Sequence, residues 1–199
     1  MDDKATLHRY LRTARNDLLG KIDGLSEYDA RRPLTPTGTN VLGLVKHVAS
    51  VQLGYFTDTF GRASDITAPW LADDAPPDSD MWVAADESRA SIVAFHEASA
   101  RASDEVIEAL DLDAAGTVPW WPDDRSAVTL HQVLVHVLAE TARHAGHADI
   151  LREHLDGSAG QRVGDANVPD RSSDQWSDYA ARIEAAARVA AAAAGERVP

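Results

Sequence analysis

HQVLVHVLAETARHAGHADILREHL, residues 131–155, is the stretch from which the fold of this chain is read. Its apolar positions run from Leu130 through Val133 and Val137 to Ala148 and Leu151. The steps are three and four, the period of a helix with one face in a core. Glu140 and His144 fall on that same stripe, between Val137 and Ala148. Five of the eight histidines sit here, a density that a solvent-facing helix built from Lys and Glu has no need of.

Outward from this helix the same period recurs. Leu7, Leu11, Ala14, Leu18 and Ile22 predict a first helix over about Lys4–Leu25, with Gly24 as its stop signal. A short helical turn at Ser26–Ala30 precedes Pro33 and Pro36. Asn40 is a good N-cap for a second long helix, about Val41–Phe60, with Leu44, His47, Val51 and Tyr55 along one stripe. A long Pro/Asp/Ala loop over about Gly61–Asp80 follows, the length of a lid or binding loop. A third long helix covers about Ala85–Leu110, and a Trp-bearing loop, Val118–Asp124, leads into the fourth, about Leu130–Leu155, which stops at Asp156-Gly157. No strand-period segment competes. The expectation is an all-α, antiparallel four-helix bundle over residues 1–157. A polar linker and an appended alanine-rich helix, about Asp174–Ala194, fill 158–199. Trp176, Tyr179 and Ile183 give that helix a thin apolar face, to pack on the bundle or on a second subunit as a homodimer.

A formal charge of -13 makes nucleic acid and anionic lipid poor partners. The absence of cysteine removes disulfides, thiolate metal sites and a cysteine nucleophile together. Any thiol chemistry must use a thiol that arrives from outside. The first residues, MDDKATLHRY, lack a basic and then apolar leader, and Ala185–Ala194 is too short and weakly apolar to span a bilayer, so a cytoplasmic protein is expected.

A carboxylate on a buried stripe costs several kcal/mol without a counter-charge, so Glu140 needs a metal, an arginine or a protonated histidine. Glu140 and His144 are one helical turn apart, close enough to meet on one ion. His47 offers a third ligand from the second long helix. Three such ligands would form an open site of the catalytic kind. Each alone is more often structural. His136 and His147 flank the stripe, and either could replace Glu140 or support a ligand from behind. His8, His96, His131 and His154 read as surface residues. H-E-x-x-H is absent, which excludes the zincin pattern, and only one helix carries a ligand pair, which excludes a di-metal ferritin-like bundle.

The run His136-Val-Leu-Ala-Glu140-Thr-Ala-Arg143-His144-Ala-Gly146-His147, with Gly38-Thr39-Asn40 and His47 upstream, resembles the DinB-like (YfiT-like metalloenzyme) superfamily. It is most similar to the branch containing mycothiol-dependent maleylpyruvate isomerase, over about residues 1–157 and including the Trp120-Trp121 loop. The resemblance implies a four-helix bundle with one divalent metal, usually zinc or nickel, on His47, Glu140 and His144. Many relatives carry histidine where this chain has Glu140, whereas the isomerase branch carries glutamate. Residues 158–199 are too short and polar to supply the isomerase's second domain, which counts against isomerase activity itself.

Three function classes follow. A metal-dependent thiol S-transferase would use a mycothiol-type low-molecular-weight thiol and an electrophilic acceptor. His147 or His136 would accept the proton, Arg143 would hold a charged thiol, and Trp120 and Trp121 would shape the pocket. Alternatively, those tryptophans, with Trp70 and Trp82, simply cover the bundle's end. A metal-dependent hydrolase would activate water on the same ion. A non-catalytic metal-binding or stress-response protein would close the site with a fourth ligand.

Overall fold

The computed structural model describes residues 2–197 except 63, 163, 165 and 166. Two compact units emerge, Met1–Ala166 and Asn167–Pro199. In the first, four long helices form the bundle: α1 (Asp3–Gly20), α3 (Val41–Thr57), α4 (Arg89–Ala109) and α5 (Leu130–Asp156), with α2 (Glu27–Arg31) a single short turn. The helix ends follow local chemistry. Asn40 and Thr129 cap α3 and α5 through their side chains, and Gly157 ends α5 in the left-handed conformation at φ 75°.

α1 packs on α5, α5 on α3 and α3 on α4. Contacts give the directions. His47 meets Glu140 while Tyr55 meets His136, so α3 and α5 run antiparallel. Lys46 reaches Glu87 while Ser103 bonds to the Gln52 carbonyl, so α3 and α4 run the same way. Seventeen residues of α3 span about 26 Å at 1.5 Å each, and the chain must return that distance before α4 can start. This is the reason for the long connection ahead of Arg89. It holds short 3₁₀ turns at Asp58–Phe60 and Pro69–Leu71.

One expectation fails locally. Two three-residue strands, β1 (Ala115–Thr117) and β2 (Ala127–Thr129), pair antiparallel with Gly116 opposite Val128. Strands this short carry too little alternation to register as a period. Gly116 is required there, because a Cβ would lie 2.8 Å from both Phe60 Cε1 and the Thr59 carbonyl oxygen. The hairpin is thereby seated on the end of α3, and its loop carries Trp120 and Trp121.

The core holds two large apolar clusters, one around Leu18, Val45, Ile92 and Ala148, the other around Leu11, Phe56, Val106 and Val137, and a small third one of Ala49, Leu53 and Phe95. Between the two large ones each long helix contributes a buried polar residue: Arg15, Gln52, His96 with Ser99, and Thr141. His96 is thus a correction. It is 2% exposed, because it lies one turn from Ile92 on the buried stripe of α4. His8 is corrected as well, being half-buried with its Nε2 2.9 Å from an Asp104 carboxylate oxygen. A polar residue between two core positions is invisible to an apolar-period reading. His131 and His154 are exposed.

In the second unit, α6 (Ser173–Ala193) begins with a capping box between Ser172 and Gln175. Arg171 lies over the rings of Trp176 and Tyr179, at 4.5 and 4.4 Å. Ile183 and Val189 are exposed.

Candidate metal centre

α3 is the most apolar of the long helices and is buried on nearly every side. From Val41 to Thr57 only His47, Val51 and Gly54 are partly exposed, and their spacing of four and three puts them on one stripe. Along that stripe α3 meets α5, with His47 against Glu140 and, further on, Tyr55 against His136. The buried seam of α5 runs through Val133, Leu134, Val137, Thr141, Ala145, Ala148 and Leu151. Glu140 and His144 therefore stand one position off the seam, half-buried rather than on the core stripe itself.

Three donors converge there. His144 Nε2 lies 2.8 Å from Glu140 Oε1, and His47 Nε2 lies 3.5 Å from the same oxygen. The two imidazoles stand edge to face with ring centroids 4.9 Å apart. One ligand atom from each of the three residues lies within 4.8 Å of the others. Around an ion with bonds of about 2.0–2.1 Å, tetrahedral ligand atoms are roughly 3.4 Å apart. Two imidazole nitrogens and one carboxylate aimed at a common point fit zinc or a similar divalent ion. Among the described residues no fourth such side chain joins them.

The surroundings tune each group. Burial pushes the Glu140 carboxyl up, but hydrogen bonds and charge from His144 and His47 outweigh it and hold it below its usual range. Glu140 is therefore an anion at neutral pH. Burial, aided by His47 and His147, holds His144 below the ordinary histidine value despite its bond to Glu140. Burial also pulls His47 down, yet Asp80 and Glu140 more than compensate and leave it raised. Asp80 Oδ2 sits 2.7 Å from His47 Nδ1, on the ring side away from Glu140. Nothing in the sequence pattern singles out Asp80. It lies in the long connection, where no period links it to α3.

The other expected residues occupy distinct places. His147 is exposed on α5 with its Nδ1 3.4 Å from His144 Nδ1, on the ring side away from Glu140. Arg143 is exposed on the same helix. His136, one turn before Glu140, packs against Tyr55 and Trp121 at centroid distances of 4.8 and 5.3 Å. Trp121 Nε1 donates to the Tyr55 hydroxyl at 2.9 Å, and Trp120 stands edge-on to Tyr55 at 5.0 Å. A Cβ at Gly54 would come within 3.1 Å of Trp120 Cη2. The tryptophans thus build, with Tyr55 and His136, an aromatic cluster that begins one turn from Glu140 on α5 and about two turns from His47 on α3. Trp70 is elsewhere, donating to Ser50 and lying under the Lys46 amine.

No helix is long and apolar enough to cross a membrane, among the described residues. A search of curated proteins finds no match. Among solved structures, the crystal structure of a conserved protein from Enterococcus faecalis is similar, with 18% identity and a TM-score of 0.56. The match covers 79% of this chain and 99% of that one, and it shows the same fold. The family model of the mycothiol-S-transferases matches residues 6–157, the bundle with both donor-bearing helices and the tryptophan hairpin. On that match, this chain belongs to the mycothiol-S-transferase family.

Proposed function

We propose that this protein is a metal-dependent thiol S-transferase that joins a mycothiol-type thiol to an electrophilic carbon. The observation that carries the reading is the convergence of the half-buried His47, Glu140 and His144, in a chain without cysteine. A divalent ion held by these three would supply a Lewis acid that lowers a thiol's pKa toward neutral. Three protein ligands leave room for a substrate atom, whereas a purely structural site closes with four. This favours the enzyme over a non-catalytic metal-binding protein.

The chain's own groups support the rest of the reaction. The thiol proton leaves to bulk water, and His147, exposed and 3.4 Å from His144 Nδ1, backs that ligand from the side away from Glu140. The sulfur forms a bond to the acceptor carbon, and the leaving group departs with its electron pair. His136, Tyr55, Trp120 and Trp121 form an aromatic cluster next along α5 from Glu140, suited to holding the acceptor. Arg143 supplies a cation for a charged part of the thiol. Such thiols are kept reduced in the cytoplasm, and the reading carries that location with it.

The test is conjugation of mycothiol to a fluorogenic alkyl halide by zinc-loaded protein. Product formation above the uncatalysed rate, lost on chelation and in His144→Ala, is expected. A fully loaded wild-type protein with no thiol-dependent rate would sink the transferase reading.

A further inference from the structure

We infer that Asp80 is a positioning residue for His47, delivered from the long connection by a turn that α3 itself clamps in place. The inference rests on the metal reading above and deepens it.

The contact is direct. Asp80 Oδ2 lies 2.7 Å from His47 Nδ1, while His47 Nε2 faces Glu140 at 3.5 Å. An imidazole carries one proton when neutral, and a carboxylate can only accept. Asp80 therefore keeps the proton on Nδ1 and leaves the Nε2 lone pair free on the side where Glu140 and His144 converge. It also fixes the rotation of the half-buried ring. Ligand histidines commonly owe their tautomer and basicity to such a partner, and its loss costs about 10- to 100-fold in metal affinity. Asp80 adds a second negative charge behind His47, on the ring side away from Glu140.

The clamp explains how a loop residue attains this precision. Lys46, the neighbour of His47, is 2% exposed, and its amine donates to the carbonyls of Ser79 and Trp82, at 2.9 and 3.0 Å. The same amine pairs with Glu87 at 2.9 Å. Asn40 donates to the Met81 carbonyl at 3.2 Å. Gly43 lets that carbonyl come against the helix, since a Cβ there would lie 2.0 Å from its oxygen. The turn is closed by the Met81 N–H on the Asp78 carbonyl, with Asp78 in the left-handed region at φ 61°. A buried lysine, a capping asparagine and a glycine on one helix all hold residues 78–82. The only ionisable side chain that this turn sets against α3 is Asp80, on His47.

Zinc affinity is measured by competition with a chromophoric chelator for wild type, Asp80→Ala, Asp80→Asn, His47→Ala and the Asp80→Ala, His47→Ala double variant. Asp80→Ala should weaken binding about 10- to 100-fold, with Asp80→Asn in between. Added to His47→Ala, it should cost nothing further, because Asp80 acts through that ring. A loss of mere loop packing would instead add in both backgrounds. Nitrogen-15 imidazole signals of the zinc-free proteins give a second readout: His47 should hold its proton on Nδ1 in wild type and lose that preference in Asp80→Ala. Wild-type affinity in Asp80→Ala, or an additive loss on the His47→Ala background, overturns the inference. If Asp80→Ala misfolds, Asp80→Asn, of nearly equal shape, carries the same comparison. Failure of wild type to bind zinc would overturn the metal reading instead, and the imidazole signals would still decide whether Asp80 sets the tautomer of His47.

Discussion

Acidification should destabilise this protein through His96, and the size of the effect follows from its place in the core. His96 sits between the two large apolar clusters with both ring nitrogens unpartnered. Burial, with Arg15 nearby, lowers its pKa from 6.5 to about 4. Its folded-state value is depressed, so the unfolded chain binds the extra proton first as pH falls below about 6.5. Stability is complete above that pH and is lost on the way down to about 4. At about 1.4 kcal/mol per pH unit, the full gap amounts to roughly 3 kcal/mol, of which roughly 2 kcal/mol is lost between pH 7.5 and pH 5. For a domain of this size that is a drop in Tm of about 4–8 °C. The assay is thermal unfolding at both pH values, with a chelator present, for wild type and His96→Leu. The leucine removes two unpaired polar atoms at similar volume, so at pH 7.5 its own effect should stay within about 1.5 kcal/mol. The difference between the two pH slopes isolates His96 from the other histidines. Equal slopes would refute the claim that this ring is buried neutral.

Gly43→Ala should cost about 1–3 kcal/mol through overpacking against the Met81 carbonyl, read as a lower Tm, and should weaken zinc binding by displacing Asp80. The Trp120→Phe, Trp121→Phe double variant should lose most of the fluorescence quenching that nickel uptake causes, and undiminished quenching would place the aromatic cluster too far from the ion. Zinc affinity should fall in acid, by about tenfold per pH unit once protons claim His47, whose raised pKa starts that competition early. An affinity flat from about pH 5 to pH 8 would contradict histidine ligation.

The four long helices were legible because each keeps an apolar period of three to four and ends on a readable cap, such as Asn40, Thr129 or Gly157. That Glu140 and His144 stand together was legible for a related reason. Their spacing of four on a helix fixes their relative placement before any tertiary contact is known, although the buried seam passes one position away, through Thr141 and Ala145. What escaped depends on long-range packing. The strands at 115–117 and 127–129 are too short to show a period, and their pairing is set by the seat of Gly116 on Phe60. His96 was misread because a buried polar layer looks like a surface when only apolar spacing is followed. Asp80 reaches His47 across 33 residues of chain, held by Lys46 contacts that no local pattern encodes.

The central claim is that His47, Glu140 and His144 hold one divalent ion to which a thiol can bind. Cobalt(II), which reports its ligands by colour, can replace zinc in the purified protein, and mycothiol can then be titrated in. The account predicts one cobalt per chain, and a sulfur-to-cobalt charge-transfer band that grows with thiol and is absent from His144→Ala. Cobalt bound at full occupancy with no sulfur band at saturating thiol would contradict it.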